Sequence, residues 1–420
     1  MKKVLRRLQD WARRRKRHPI SSLPPEIISR IFVFCLPPLG TAPSCKNAPL
    51  LTAQICRSWR ELTLQTPELW VDIRPVCGGK AAAEMMKVWS SRAESLPLHY
   101  ILISWDAEEA DSLVEAVLQH QQRWGLLFMA VPWSAYARMH TLGASFPVLY
   151  HIQLVIQGGD STPTLESSKL IFHDAPKLRT VAISSFGGCS EFPMYLLEIP
   201  WGQLESLKVA IGNDTWAENM STLLQCTNLT ELTISSNVQQ TPMPAQITNH
   251  ITLPFLQSLK LDNPYLVELL DHVTLPRLHQ LEMGLFGDRD DFRRMQSLFS
   301  RAACPIQYLK LTLGDPGFLR RIMALTPLVV ELVLRIESMA PNILGLVGTA
   351  LQPGVLPVLQ TLEVGYPTAS MTGRDVLVET LMGRSARLRS FALHSAGNTV
   401  DMIPYTNLAL AGVKVKVSAG

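Results

Sequence analysis

The sequence predicts an α/β repeat solenoid, an irregular horseshoe with a parallel concave sheet, behind a small all-helical N-terminal module. Three observations predict it. A leucine-centred pattern returns from residue 97 to the end. Apolar residues make up 47% of the chain and charged residues 18%, which suits one long shared core. Residues 20–73 hold two short apolar helical segments bracketed by prolines, ahead of the first repeat.

Residues 1–19 read as a flexible basic tail. Nine of the first 18 residues are Lys or Arg and one is Asp, while the whole chain carries only +4, so the basic balance belongs to the tail. The run Arg13–Arg17 fits a solvated tail, a nuclear-import signal or a membrane or polyanion contact, and Val4, Leu5, Leu8 and Trp11 would line one side of an amphipathic helix. Arg13 to His18 stand where a secretory signal needs an apolar stretch, and no apolar run suits a membrane span. The seven cysteines form no C-x-x-C pair and read as reduced thiols of a cytoplasmic or nuclear protein.

In the module, Ser22 is placed to cap a helix that Pro24 and Pro25 begin, with Glu26 in the favourable first turn. Ile27, Ile28, Ile31, Phe32, Cys35 and Leu36 make a wide apolar stripe, ended by Pro37 and Pro38. A second helix is expected from near Pro49, with Leu51, Ile55, Trp59 and Leu62 on one face and Arg57 and Arg60 pointing elsewhere. Two such helices can pack on each other and still offer apolar surface to a partner.

The stretches LPPEIISRIFVFCLP, Leu23 to Pro37, and QICRSWRELTLQTPELW, Gln54 to Trp70, resemble the F-box, the motif by which substrate receptors attach to the Skp-type adaptor of SCF ubiquitin ligases. The wording here and in WSSRAESLPLHYILIS, Trp89 to Ser104, is similar to the large fungal F-box family with leucine-rich C-terminal halves. The connection from Pro37 to Ala48 is longer than the compact F-box pattern. The resemblance implies that Leu23, Pro24, Ile27, Ile28, Ile31, Ile55, Cys56 and Trp59 contact the adaptor, and through it a cullin scaffold. A cap over the open end of a repeat array is the competing reading of the same helices.

Residues 74–96, with Met85, Met86, Val88 and Trp89, read as a helical connector. From residue 97 to 420 thirteen units lead with Leu98, Trp124, Leu149, Leu178, Leu204, Leu229, Leu256, Leu278, Ile306, Val329, Leu359, Leu388 and Leu410. Their spacing is about 26 residues on average, the period of leucine-rich repeats. Each unit predicts a short parallel strand at L-x-x-L-x-L and a return by helix or loop, as in Glu218–Cys226 and Asp290–Ala302. The asparagine that usually lines the turn after the strand stands clearly only at Asn237.

Side chains between the leucines alternate to the open face of the sheet. His151, Lys208, Glu231, Lys260, Glu282, Tyr308 and Lys310 are the candidates there for contact with a protein substrate of unknown identity. Both signs of charge mix on this face, which suits a protein surface and not a nucleic-acid track.

Catalytic residues, metal ligands and cofactors are not expected. The histidines show no H-E-x-x-H spacing, Gly78-Gly79-Lys80 lacks a phosphate-loop frame, and Asp288, Asp290 and Asp291 read as an exposed helix start. The expected function is a non-catalytic substrate-recognition subunit of an SCF-type, cullin-RING ubiquitin ligase. The alternatives are a leucine-rich-repeat interaction scaffold without ligase role and, least favoured, a nucleic-acid binder using the tail.

Overall fold

A computed structural model describes residues 19–76, 79–136, 138–139, 145–157, 170–186, 194–211, 216–236, 250–340, 342–352, 354–367, 372–395 and 403–419. Residues 1–18 of the basic tail, Asn237, Cys77 and Cys189 lie outside the described residues. The chain divides into two units, Met1–Tyr150 and His151–Gly420.

In the first unit, Pro24 and Pro25 set the start of helix α1 (Pro25–Phe34). Pro24 occupies the N-cap position and no side chain caps the helix, so Ser22 does not take the expected role and sits in a short 3₁₀ turn. The second helix is broken. Cys56 is fully extended (φ −157°, ψ 170°) and separates α2 (Thr52–Ile55) from α3 (Arg57–Leu64). The expected single face therefore splits: Leu51 and Ile55 are exposed, whereas Trp59 and Leu62 are half-buried. Arg60 Nε donates to the Ala53 carbonyl at 2.8 Å and holds the two pieces together. Thr63 Oγ1 bonds Thr52 Oγ1 at 3.0 Å, and the Trp70 indole donates to the Thr63 carbonyl at 3.0 Å.

Trp70 is buried, meets Trp89 edge-on at 5.1 Å, and carries the Arg92 guanidinium 4.3 Å from its ring. Trp89 and Arg92 belong to α4 (Gly79–Arg92), which also buries Ala82 and Met86 and exposes Val88. Strands β1 (Asp72–Ile73), β2 (Leu98–Ile103) and β3 (Trp124–Pro132) pair in parallel. Helix α5 (Ala107–Leu118) makes the crossover between β2 and β3, capped by the Asp106 carboxylate on the Glu109 amide and buried through Ala110, Leu113, Val114 and Val117.

The second unit stacks eleven parallel strands in chain order: β4 (His151–Gln157), β5 (Thr180–Phe186), β6 (Ser206–Ala210), β7 (Glu231–Ser235), β8 (Ser258–Leu261), β9 (Gln280–Leu285), β10 (Tyr308–Leu313), β11 (Glu331–Ile336), β12 (Thr361–Tyr366), β13 (Ser390–Ser395) and β14 (Lys414–Ala419). Register puts like on like. Leu207, Leu232, Leu259, Leu281, Leu309, Leu332, Leu362 and Phe391 form one buried row. Val209, Ile234, Leu261, Met283, Leu311, Leu334, Val364 and Leu393 form the next. Each fully buried side chain of this size contributes roughly 1.5–3 kcal/mol, and only stacking removes it from water. This is leucine-rich-repeat architecture.

Two polar devices hold the stack. Ahead of β6 to β13 one carbonyl takes two amides from the next repeat: the His279 carbonyl accepts from Gln307 and Tyr308, the Gln307 carbonyl from Val330 and Glu331, and the Val330 carbonyl from Gln360 and Thr361. On the return side, arginines fill turns of the preceding repeat. The Arg384 guanidinium donates to the carbonyls of Leu351, Gln352, Val355 and Leu356, and Arg301 to those of Leu270 and Val273.

The helix expected after Asp288 is α6 (Arg289–Arg301), with Asp288 as its cap at 2.8 Å from the Asp291 amide. Asp291 itself is buried, contrary to an exposed helix start, because its carboxylate accepts the amide of Gly287 at 2.9 Å. The last repeat is also shifted from its expected frame. Leu410 is 80% exposed, and Val413, after the turn at Gly412 (φ +90°), is the buried residue leading into β14.

Candidate functional site

The helical module presents apolar side chains to solvent. Ile27 is 48% exposed and Ile55 54%, and Leu23, Pro24, Phe34, Leu39, Leu51 and Leu64 are exposed as well. Ile31 is half-buried. Of the eight residues that the resemblance nominates for the adaptor, Ile28 is buried and supports α1 instead of offering a contact. Trp59 is half-buried, its ring 4.8 Å from that of the buried Phe32. The extended residue Cys56 ends α2, and Leu51 and Ile55 ahead of it are uncovered. Exposed large apolar side chains, Ile27 and Phe34 on α1 and Ile55 on α2, are surface that a partner can cover.

Cys56 is exposed, at the extended residue before α3. The Ser58 hydroxyl 3.2 Å away, backbone amides and the Arg60 charge hold its thiol below the usual range. Cys226 and Cys304 stand at the opposite limit, where burial pushes their thiols up to about 12 and about 11.

The sheet face of the second unit brings its seven candidates into two neighbouring rows. Lys208, Thr233, Lys260, Glu282, Lys310, Val333 and Glu363 follow one another across the strands. Ser206, Glu231, Ser258, Gln280, Tyr308, Glu331 and Thr361 form the row beside them. His151 opens β4, in register with Thr180 and through it with Ser206. It is half-buried, and burial lowers its pKa, which favours the neutral imidazole.

Most charges on this face are spent within the chain. Lys310 pairs with Glu282 at 3.1 Å, Lys260 with Asp262 at 3.2 Å, and Arg335 with Glu363. Arg335 reaches Glu363 because Gly365 is beside it: a Cβ there would lie 2.7 Å from Nη1. Tyr308 keeps its proton well past neutrality, from burial first and then from Glu282, Glu331 and Glu363 around it. The sequence reading missed Asp262, Phe286, Arg335 and Glu337, which flank the same rows; all four lie beyond the L-x-x-L-x-L core on which the reading was framed.

At the C-terminal ends of β8, β9 and β10 the face sinks into a cleft of about 380 Å³ lined by Lys260, Asp262, Glu282, Gly284, Phe286, Lys310, Gly314 and Glu337. Among the described residues no group of three His, Cys, Asp or Glu side chains is placed to hold a metal ion, and no helix is long and apolar enough to cross a membrane.

No family model and no curated protein matches this chain. Among solved structures, the chain is similar to an internalin from Listeria monocytogenes at 13% identity, over 79% of this chain and 82% of that one, with a TM-score of 0.27. At that score the likeness carries no argument, and the repeat architecture rests on the strand register itself.

Proposed function

We propose that this chain is the substrate-recognition subunit of an SCF-type cullin-RING ubiquitin ligase, non-catalytic in itself. Its helical module docks a Skp-type adaptor, and its repeat sheet holds the protein to be modified. The observation that carries the reading is the uncovered apolar surface of Leu23, Ile27, Leu51 and Ile55, on the segment that resembles the F-box. A cap for the repeat stack would bury such residues. Here they are solvent-exposed while Ile28, Phe32 and Trp70 make the module's own core.

In this reading the chain accelerates transfer by proximity, holding substrate near a ligase that supplies the chemistry. No residue of the chain needs to touch a reacting atom. Localisation follows as cytoplasmic or nuclear, where such ligases act. Capture of a purified Skp-type adaptor by the full chain tests the proposal. Failure of a folded chain to bind it would leave an interaction scaffold without ligase role.

A further inference from the structure

Among the described residues Phe34, Phe255 and Phe286 are exposed, and the first two each have an arginine guanidinium near the ring. The Arg30 guanidinium lies 5.5 Å from the Phe34 ring centre, and that of Arg277 lies 5.2 Å from the Phe255 ring centre. Phe286, 42% exposed, has no such cation over it among the described residues. Tyr265 packs edge-to-face against it at 4.9 Å, and the ring lines the sheet-face cleft.

The lining of that cleft is charged in an uneven way, and Glu337 follows Phe286 and Gly314 in register across the strands. Lys260 and Lys310 are each neutralised, by Asp262 and Glu282, which leaves Glu337 as the excess negative charge of the lining. Among the described residues no ion pair involves Glu337, whose amide is anchored on the Leu313 carbonyl at 2.9 Å. The floor between ring and carboxylate is bare backbone and small side chains: Gly284, Thr312 and Gly314. Gly314 cannot be larger, since a Cβ would lie 2.9 Å from the Phe286 carbonyl oxygen.

We infer that this cleft receives an arginine side chain from an extended segment of the bound protein. A planar guanidinium can stack on Phe286 and hydrogen-bond in a fork to the Glu337 carboxylate, the two interactions that favour arginine over lysine. The small floor lets the arginine stem lie flat, and the excess negative charge selects its sign. The inference rests on the reading that the sheet face holds a protein, and it names the chemistry of that protein's anchor.

The test is selection of a phage-displayed random peptide library on immobilised full chain, followed by solution binding of the selected peptide. The wild type is expected to enrich arginine at one position. Replacing that arginine by citrulline, or testing Glu337→Gln or Phe286→Leu chains with unchanged circular dichroism, is expected to weaken binding about tenfold. Enrichment without arginine, absence of enrichment, or binding indifferent to both variants would overturn the inference. Adaptor capture by the same preparations separates the two readings: a chain that binds adaptor but selects no arginine loses only the cleft assignment.

Discussion

The ring of Trp59 lies 4.8 Å from that of Phe32 at 56°, so the tryptophan nominated as an adaptor anchor is also a clamp between α1 and α3. Stability and docking are therefore mixed at Trp59 and separable at Ile55, which is exposed on the neighbouring α2. Trp59→Ala should destabilise the chain by about 2 kcal/mol, because it uncovers Phe32. Ile55→Ala should change stability by less than about 0.5 kcal/mol and weaken adaptor binding about tenfold. Urea unfolding beside adaptor titration distinguishes the two; equal stability loss in both variants would contradict the division of roles.

Arg384 joins two repeats through four carbonyls in the turn Leu351–Leu356. Alanine there leaves those acceptors without donors in a half-buried setting, a loss of roughly 2–3 kcal/mol. Arg384→Lys should recover part of it, since one ammonium cannot span the fork. A denaturation midpoint unchanged by Arg384→Ala would show that water replaces the guanidinium without cost.

How much of this was legible in the sequence depends on the range of each interaction. Strand positions follow from local alternation, and Leu98 through Leu388 at the head of twelve repeats are all buried. The thirteenth failed because LALAGVKVKV offers two overlapping alternations, and the turn at Gly412 selects the later one. The break at Cys56 carries no Gly or Pro, so a 4-4-3 apolar spacing read as one helix. Arg384, Arg335 over Gly365, and the Phe286 cleft pair residues a full repeat apart, where only register brings them together.

Asp291 titrates above the ordinary carboxylate range, from burial first, against the opposing help of the Gly287 amide. A raised folded pKa means that the group's contribution is complete below its unfolded value and is lost as pH rises through the folded one. Asp291→Asn keeps an acceptor for Gly287 and never ionises. The stability of the variant relative to wild type should therefore grow as pH rises from about 4 toward neutrality. A difference independent of pH would mean that the buried carboxyl does not titrate there.

Cys56 should alkylate well ahead of Cys226 and Cys304, since it is exposed with a lowered thiol pKa while those two are shielded and raised. Saturating adaptor should slow labelling of Cys56. Mass spectrometry of iodoacetamide-treated chain reads both effects, and labelling of Cys56 at an unchanged rate in the presence of bound adaptor would place the contact elsewhere.

The most direct measurement of the central claim is co-purification of the full chain with a Skp-type adaptor, beside the triple variant Leu23→Ala, Ile27→Ala, Ile55→Ala. All three residues are exposed, so circular dichroism of the variant should match the wild type. Stoichiometric adaptor on the wild type and its loss from the folded variant is the predicted result. A folded wild type that retains no adaptor would contradict the receptor reading and leave the helical module as a cap on the repeats.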